Sequence, residues 1–160
     1  MKNILIIYWS GTGNTQEMAV AVAEGAKSLG MDVTVKEVAN ASVEDVVGAD
    51  AVALGCPSMG SEELEEEEME PFVQALEKED LSEKPMALFG SFDWGDGEWM
   101  RNWADRMMKL GVKLVDKGLT VQNTPDEDGL ASCRELGKKL AALGVRGTLL
   151  MFDRRPFAVS

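Results

Sequence analysis

Apolar residues follow two rhythms along the chain, and the switches between them outline the elements. Ile4 to Tyr8 is an unbroken apolar run, as in a strand buried on both faces. A Gly/Ser/Thr/Asn turn follows. From Gln16 to Leu29, Met18, Val22, Ala26 and Leu29 recur at helical spacing, with Gly30 as the stop. Val33 and Val35 alternate with polar residues, the signature of an edge strand exposed on one face. A short helix near Ser42 to Val47 leads into a strand over Ala51 to Leu54. An acidic helix from about Leu64 to Lys78 comes next, then a strand over Met86 to Phe89 and a helix from about Glu98 to Leu110. A fifth strand is expected within Leu114 to Val121, bent or bulged at Gly118. The last helix opens near Asp126 after Pro125, with acids in its first turn and Lys138-Lys139 near its end, matching the helix dipole.

Strand and helix thus alternate five times, which predicts an α/β fold: one domain, a doubly wound five-stranded parallel sheet with right-handed crossovers. The length of 160 residues suits a single unit. Residues 1–143 carry the pattern, and 144–160 form a C-terminal extension outside it. Gly144-Val145-Arg146-Gly147 reads as a linker, and Thr148 to Phe152 as an apolar patch in a basic, Pro-containing tail. The tail is expected to pack on the same domain; the alternative is a docking or dimerisation arm.

Charge narrows the function. Sixteen Lys and Arg against 28 Asp and Glu give a net charge of −12, which repels phosphate backbones and anionic lipid surfaces. No nucleic-acid or membrane role is expected, and a basic protein is the natural partner. The absence of histidine excludes Ser-His-Asp triads, Cys-His dyads and histidine-bound zinc. No catalytic side chain and no metal is expected, so any chemistry belongs to something bound. The N-terminus ends its apolar run in Gly-Thr-Gly rather than a cleavage site, so no signal peptide is read. That points to the cytoplasm, with Cys56 and Cys133 as thiols.

Three loops at the carboxyl ends of strands have unusual composition, and such ends are where open α/β sheets bind ligands. In Ser10-Gly11-Thr12-Gly13-Asn14-Thr15, two glycines allow a tight turn that converges backbone N–H groups, while hydroxyls, an amide and a helix N-terminus complete a cradle for phosphate. It contains no lysine, and the third glycine of the dinucleotide fingerprint is missing, so it suits a nucleotide that keeps its phosphate. Gly55-Cys56-Pro57-Ser58-Met59-Gly60-Ser61-Glu62 sets a polarisable thioether in a loop beside a glycine whose following peptide can take two orientations. Taken alone, these residues favour a plain turn with a core-facing Met59. Gly90-Ser91-Phe92-Asp93-Trp94-Gly95-Asp96-Gly97-Glu98-Trp99 has too many rings for a simple turn unless they cover something flat. One of its two tryptophans is expected to cap the core instead.

These three segments, together with Val121-Gln122-Asn123 and Pro125-Asp126, resemble the short-chain flavodoxins of anaerobic bacteria over residues 1–143. The resemblance implies the family's strand order, 2-1-3-4-5, and FMN as cofactor. It implies that Ser10, Gly11, Thr12, Gly13, Asn14 and Thr15 hold the phosphate. Met59 and Trp94 would lie against the two flavin faces, within segments Pro57-Ser58-Met59-Gly60-Ser61-Glu62 and Ser91-Phe92-Asp93-Trp94-Gly95. The Gly60-Ser61 peptide would offer its carbonyl to flavin N5–H, and Glu62 its carboxylate to N3–H. Backbone amides around Asp93 and Trp94 would meet the pyrimidine edge. Function follows as a one-electron carrier shuttling between redox proteins, cycling between semiquinone and hydroquinone.

An electron-rich ring face, a nearby carboxylate and a net charge of −12 make added negative charge on the flavin unfavourable, so a low potential is expected. No Lys or Arg lies in the three loops to offset it. Asp93 stands where the family commonly has glycine; it lowers the potential further if it faces the flavin, and strains the backbone if that position requires φ > 0. Phe92 replaces a frequent tyrosine. The run Glu62 to Met69 and Glu70 reads either as a solvated helix face or as a surface steering basic redox partners such as reductases and ferredoxin-dependent enzymes. The protein is expected to be a monomer. The alternative within the same fold is an NAD(P)H-dependent FMN or quinone reductase, disfavoured because Met59 and Trp94 leave little room for a second ring. A phospho-receiver module is excluded: Tyr8-Trp9 and Gly55-Cys56 stand where it needs acids.

Overall fold

The structure, a computed structural model, describes the backbone of residues 2–153. Strand β1 (Asn3–Tyr8) is followed by helix α1 (Asn14–Lys27), β2 (Asp32–Glu37), α2 (Val43–Gly48) and β3 (Ala51–Gly55). Then come α3 (Met69–Leu76), β4 (Pro85–Phe92), α4 (Glu98–Lys109), the short β5 (Lys113–Leu114), β6 (Leu119–Gln122) and α5 (Glu127–Asp153). All pairings are parallel, in the order β2-β1-β3-β4-β5, with β6 also on β4. The expected 2-1-3-4-5 sheet is what the chain forms.

Alternation along the strands builds two cores. Ile4, Ile6 and Tyr8 of β1 join Ala53, Ala87 and Phe89 under α1 and α5, packing on Met18, Val22, Cys133 and Leu140. Leu5 and Ile7 turn the other way and meet Leu54, Leu88, Met69, Val73, Trp99, Trp103 and Met107 beneath α3 and α4. Each fully buried large side chain contributes roughly 1.5–3 kcal/mol, so a sheet covered on both faces carries most of the stability. Two helical glycines bring α1 and α5 into backbone contact: a Cβ on Gly25 would fall on the Arg134 carbonyl, and one on Gly137 on the Val22 carbonyl.

Several boundaries differ from the sequence reading, each for a tertiary reason. β4 runs on to Phe92 because Gly90, Ser91 and Phe92 pair with Thr120, Val121 and Gln122. The fifth strand is split, because Asp116 (φ 55°) and Gly118 (φ 98°) turn the chain out between β5 and β6. Helix α3 starts at Met69, not near Leu64: the Glu65 carboxylate takes the N–H groups of Glu67, Glu68 and Met69, which ends the loop there. Helix α5 continues through Gly144 and Gly147 in place of the expected linker, so Lys138 and Lys139 sit mid-helix. The packing of the tail, from the Arg146 side chain onward, lies outside the described residues. No helix among the described residues is long and apolar enough to cross a membrane.

Between α3 and α4, Arg106 forks onto Glu70, with Nη1–Oε1 and Nη2–Oε2 both at 2.8 Å, and reaches Glu77 at 3.1 Å. This hydrogen bonding outweighs burial and holds the Glu70 carboxyl below its ordinary value of 4.5. A carboxyl lowered in the native state stabilises the fold above the unfolded-state value and loses that contribution as pH falls through the native one. The stability advantage of the wild type over Glu70→Gln, read from urea midpoints, should therefore hold from neutrality to about pH 4.5 and shrink below it.

Candidate functional site

The carboxyl ends of β1, β3 and β4 converge on a cleft of about 160 Å³. Trp9, Gly11, Thr12 and Asn14 line it from the first loop, Pro57, Ser58 and Met59 from the second, and Ser91, Phe92 and Asp93 from the third. A neighbouring cavity of about 380 Å³ opens on the far side of Met59, bounded by Trp9, Gly60, Leu64 and Glu65 with other glutamates.

In the first loop, Ser10 acts as the organiser. Its Oγ accepts the N–H groups of Gly13 at 3.1 Å and Gln16 at 3.3 Å, and Thr12 Oγ1 accepts that of Asn14 at 3.5 Å. Gly13 takes φ 98° at the head of α1, a left-handed conformation that a side chain would strain, with open space around it. The Thr15 side chain is buried, and its Oγ1 lies 3.1 Å from Ser91 Oγ. That hydroxyl pair ties the start of α1 to β4.

The second loop is anchored by backbone bonds, Cys56 N–H to Phe89 O and Ser58 N–H to Ser91 O, both 3.0 Å. Met59 and Glu63 then close a turn through reciprocal N–H···O bonds of 2.8 Å. At its tip Gly60 has φ 50° with nothing within 4 Å of where a Cβ would stand. Met59 is half-buried between the two cavities and not a core side chain. Glu62 takes the left-handed φ of 57° and sends its Oε1 to the head of α4, accepting from Gly97 at 3.2 Å and Glu98 at 2.9 Å. Its carboxylate thus neutralises the positive end of a helix dipole.

In the third loop, Trp99 is the core tryptophan, 2% exposed, with its indole N–H on Cys56 O at 3.1 Å and Phe92 tilted against it at 5.7 Å. Trp94 is the other kind, 61% exposed. Asp93 is exposed and absent from the residues with positive φ, so the strain considered for it does not arise. Its carbonyl is held by Gln122 Nε2 at 3.1 Å. The left-handed positions fall on Gly95 (φ 93°) and Gly97 (φ 91°) instead. Close packing explains one of them: a Cβ on Gly95 would meet the Glu62 carboxylate. Arg101, from α4, pairs with Asp96 at 3.0 Å, so the third loop does carry a cation, supplied from outside its own sequence.

Ser61, Glu62, Trp94 and Gly95 line neither cavity, nor do Ser10, Gly13 and Thr15 of the first loop. Sequence reasoning missed Trp9 and Glu65. Trp9 borders both cavities and donates its indole N–H to Glu68 at 3.1 Å. Its position between an apolar strand and a phosphate cradle was the available signal. Both thiols are buried; burial pushes Cys56 up to about 12 and Cys133 up to about 11, which leaves them unreactive.

The model of the flavodoxin family, described as Flavodoxin, matches residues 6–137. The chain is 46% identical to a flavodoxin of Clostridium beijerinckii, covering 85% of this chain and 97% of that protein. It is 42% identical to the flavodoxin of Megasphaera elsdenii over 85% and 96%. Among solved structures, two-electron reduced Megasphaera elsdenii flavodoxin superposes with a TM-score of 0.79 at 41% identity, covering 87% of this chain and 98% of that one.

Proposed function

Because this chain belongs to the flavodoxin family, whose members carry electrons on bound FMN, we propose that the cleft at the ends of β1, β3 and β4 is where it holds that cofactor. The protein is an electron-transfer flavoprotein, not an enzyme, and the reductase alternative is not favoured. The observation that carries the site assignment is the meeting of three loops, far apart in sequence, on one cleft.

The donor set supports it. Neutral hydroxyl, amide and backbone donors at the head of α1 suit a phosphate that stays in place. Ser10 shapes that loop, and Ser10 to Thr15 carry the phosphate, with the Thr15 oxygen held in place by Ser91. Met59 and the exposed indole of Trp94 cover the ring faces. The open surroundings of Gly60 leave its carbonyl free to turn towards flavin N5–H. Glu62 makes no hydrogen bond through Oε2 among the described residues, and this oxygen is the one available for N3–H. Pro57, Ser58, Ser61, Ser91, Phe92, Asp93 and Gly95 shape the ring edges. FMN supplies the one-electron chemistry; the chain binds it, excludes water from it and sets its potential.

That potential is low, because the chain brings a net charge of −12 and a glutamate run beside Met59, with Arg101 already engaged on Asp96. Residues 1–143 form the FMN-binding unit, the tail packs on it, and the protein works as a monomer in the cytoplasm, a compartment that suits its free buried thiols. Its partners are redox proteins with basic surfaces, drawn to Glu62–Glu70.

Purified protein should be yellow and release FMN on acid treatment, and the apoprotein should quench added FMN fluorescence; colourless protein that takes up none overturns the reading. Asp93→Gly should keep the FMN Kd within about threefold and raise the lower of the two one-electron potentials, measured by dye-equilibrated photoreduction. Reduction by a basic reductase should slow as ionic strength rises from ~0.01 to ~0.15 M, where the screening length shrinks from roughly 30 to 8 Å; stopped-flow rates indifferent to salt speak against the docking surface.

A further inference from the structure

Within the glutamate run, one carboxylate behaves unlike the others. Glu65 is 6% exposed, while Glu66, Glu67 and Glu68 are solvent-facing. Its Oε1 accepts the N–H groups of Glu68 at 2.7 Å and Met69 at 2.9 Å, and its Oε2 that of Glu67 at 2.8 Å. Its own N–H donates to Cys56 Sγ at 3.4 Å, at the root of the second loop. Both ends of the Pro57–Leu64 loop are thereby fixed to one point: Cys56 starts it and Glu65, held on the Cys56 sulfur, ends it.

We propose that Glu65 is a positioning residue for flavin binding, whose buried carboxylate sets the Met59–Gly60 turn and the Trp9 indole in place from behind. This rests on the assignment of the cleft to FMN. Glu65 caps α3, but the arrangement reaches beyond a cap through the Cys56 sulfur and the Trp9 indole. Glu68 occupies the position before α3 where a capping side chain belongs, yet makes no capping bond. Glu65 does the capping in its stead, and the freed Glu68 carboxylate receives the Trp9 indole N–H at 3.1 Å. One buried residue thus links the end of the Met59 loop to Cys56 and the start of α3 to Trp9, which borders the same cavity as Met59. Burial works to raise the Glu65 carboxyl, but the bonds from Met69, Glu67 and Glu68 prevail and hold it below the ordinary value, so it stays charged.

Glutamine is the informative replacement. Its single acceptor oxygen can keep Glu68 and Met69, but its NH2 group then faces the Glu67 N–H, donor against donor. Full-length Glu65→Gln, folded at 25 °C by circular dichroism, should bind FMN at least about tenfold more weakly than wild type in fluorescence-quenching titrations. What FMN it binds should show displaced one-electron potentials, a shift that a purely structural cap would not cause. Glu79→Gln, which removes an equal charge from the exposed turn after α3, should bind within twofold of wild type. In the wild-type apoprotein the amides of Glu67, Glu68 and Met69 should be protected from hydrogen exchange. Free exchange of these amides overturns the proposal even if the glutamine variant does not fold. So does a folded Glu65→Gln protein with unchanged affinity and potentials. If the wild type itself takes up no FMN, the functional reading falls instead.

Discussion

Along β1, Ile4, Ile6 and Tyr8 point to one side of the sheet and Leu5 and Ile7 to the other, and both sides are sealed by helices. Burying both faces leaves a parallel sheet only its edges, and the strands' carboxyl ends are where the backbone must turn with polar groups still to satisfy. The chain meets that requirement locally. Thr15 and Ser91 satisfy one another across the sheet, Cys56 and Ser58 hang from β4, and Trp99 reaches back to the Cys56 carbonyl. What remains is a cleft lined by polar groups and the half-buried rings of Trp9 and Phe92, seated on the sealed sheet.

The acidic character of the chain is more structured than a count suggests. Glu65 ends a loop and begins α3, Glu62 caps α4 from a loop thirty-odd residues earlier, Asp45 closes a capping box with Ser42, and Asp126 takes the Gly129 N–H at the head of α5. Each places a carboxylate on the positive end of a helix, where backbone N–H groups replace the water it gives up. Negative charge can therefore be packed near a ligand site without unfolding it.

The few cations are spent in a matching way. Arg106 bridges α3 to α4 through Glu70 and Glu77, Arg101 secures Asp96, and Lys84 reaches the Val47 and Ala49 carbonyls at the end of α2. Each of these cations is thus held by an oxygen of the chain itself.

The alternating and continuous apolar runs determined the α/β class, the core residues and the order of elements, because burial periodicity is written directly in the chain. The three loops and their kinship were legible for the same reason: glycines, hydroxyls and rings concentrated at strand ends have few other uses. What the tertiary structure decided is where individual polar groups spend their bonds. Thr15 turned inward to Ser91, Trp99 went to the core and Trp94 to solvent, α3 began late at Met69, and β4 outlasted its apolar run. Each outcome depends on a partner distant in sequence, Ser91 for Thr15 and Thr120 to Gln122 for the end of β4, and no local pattern encodes which of several donors a buried oxygen will meet.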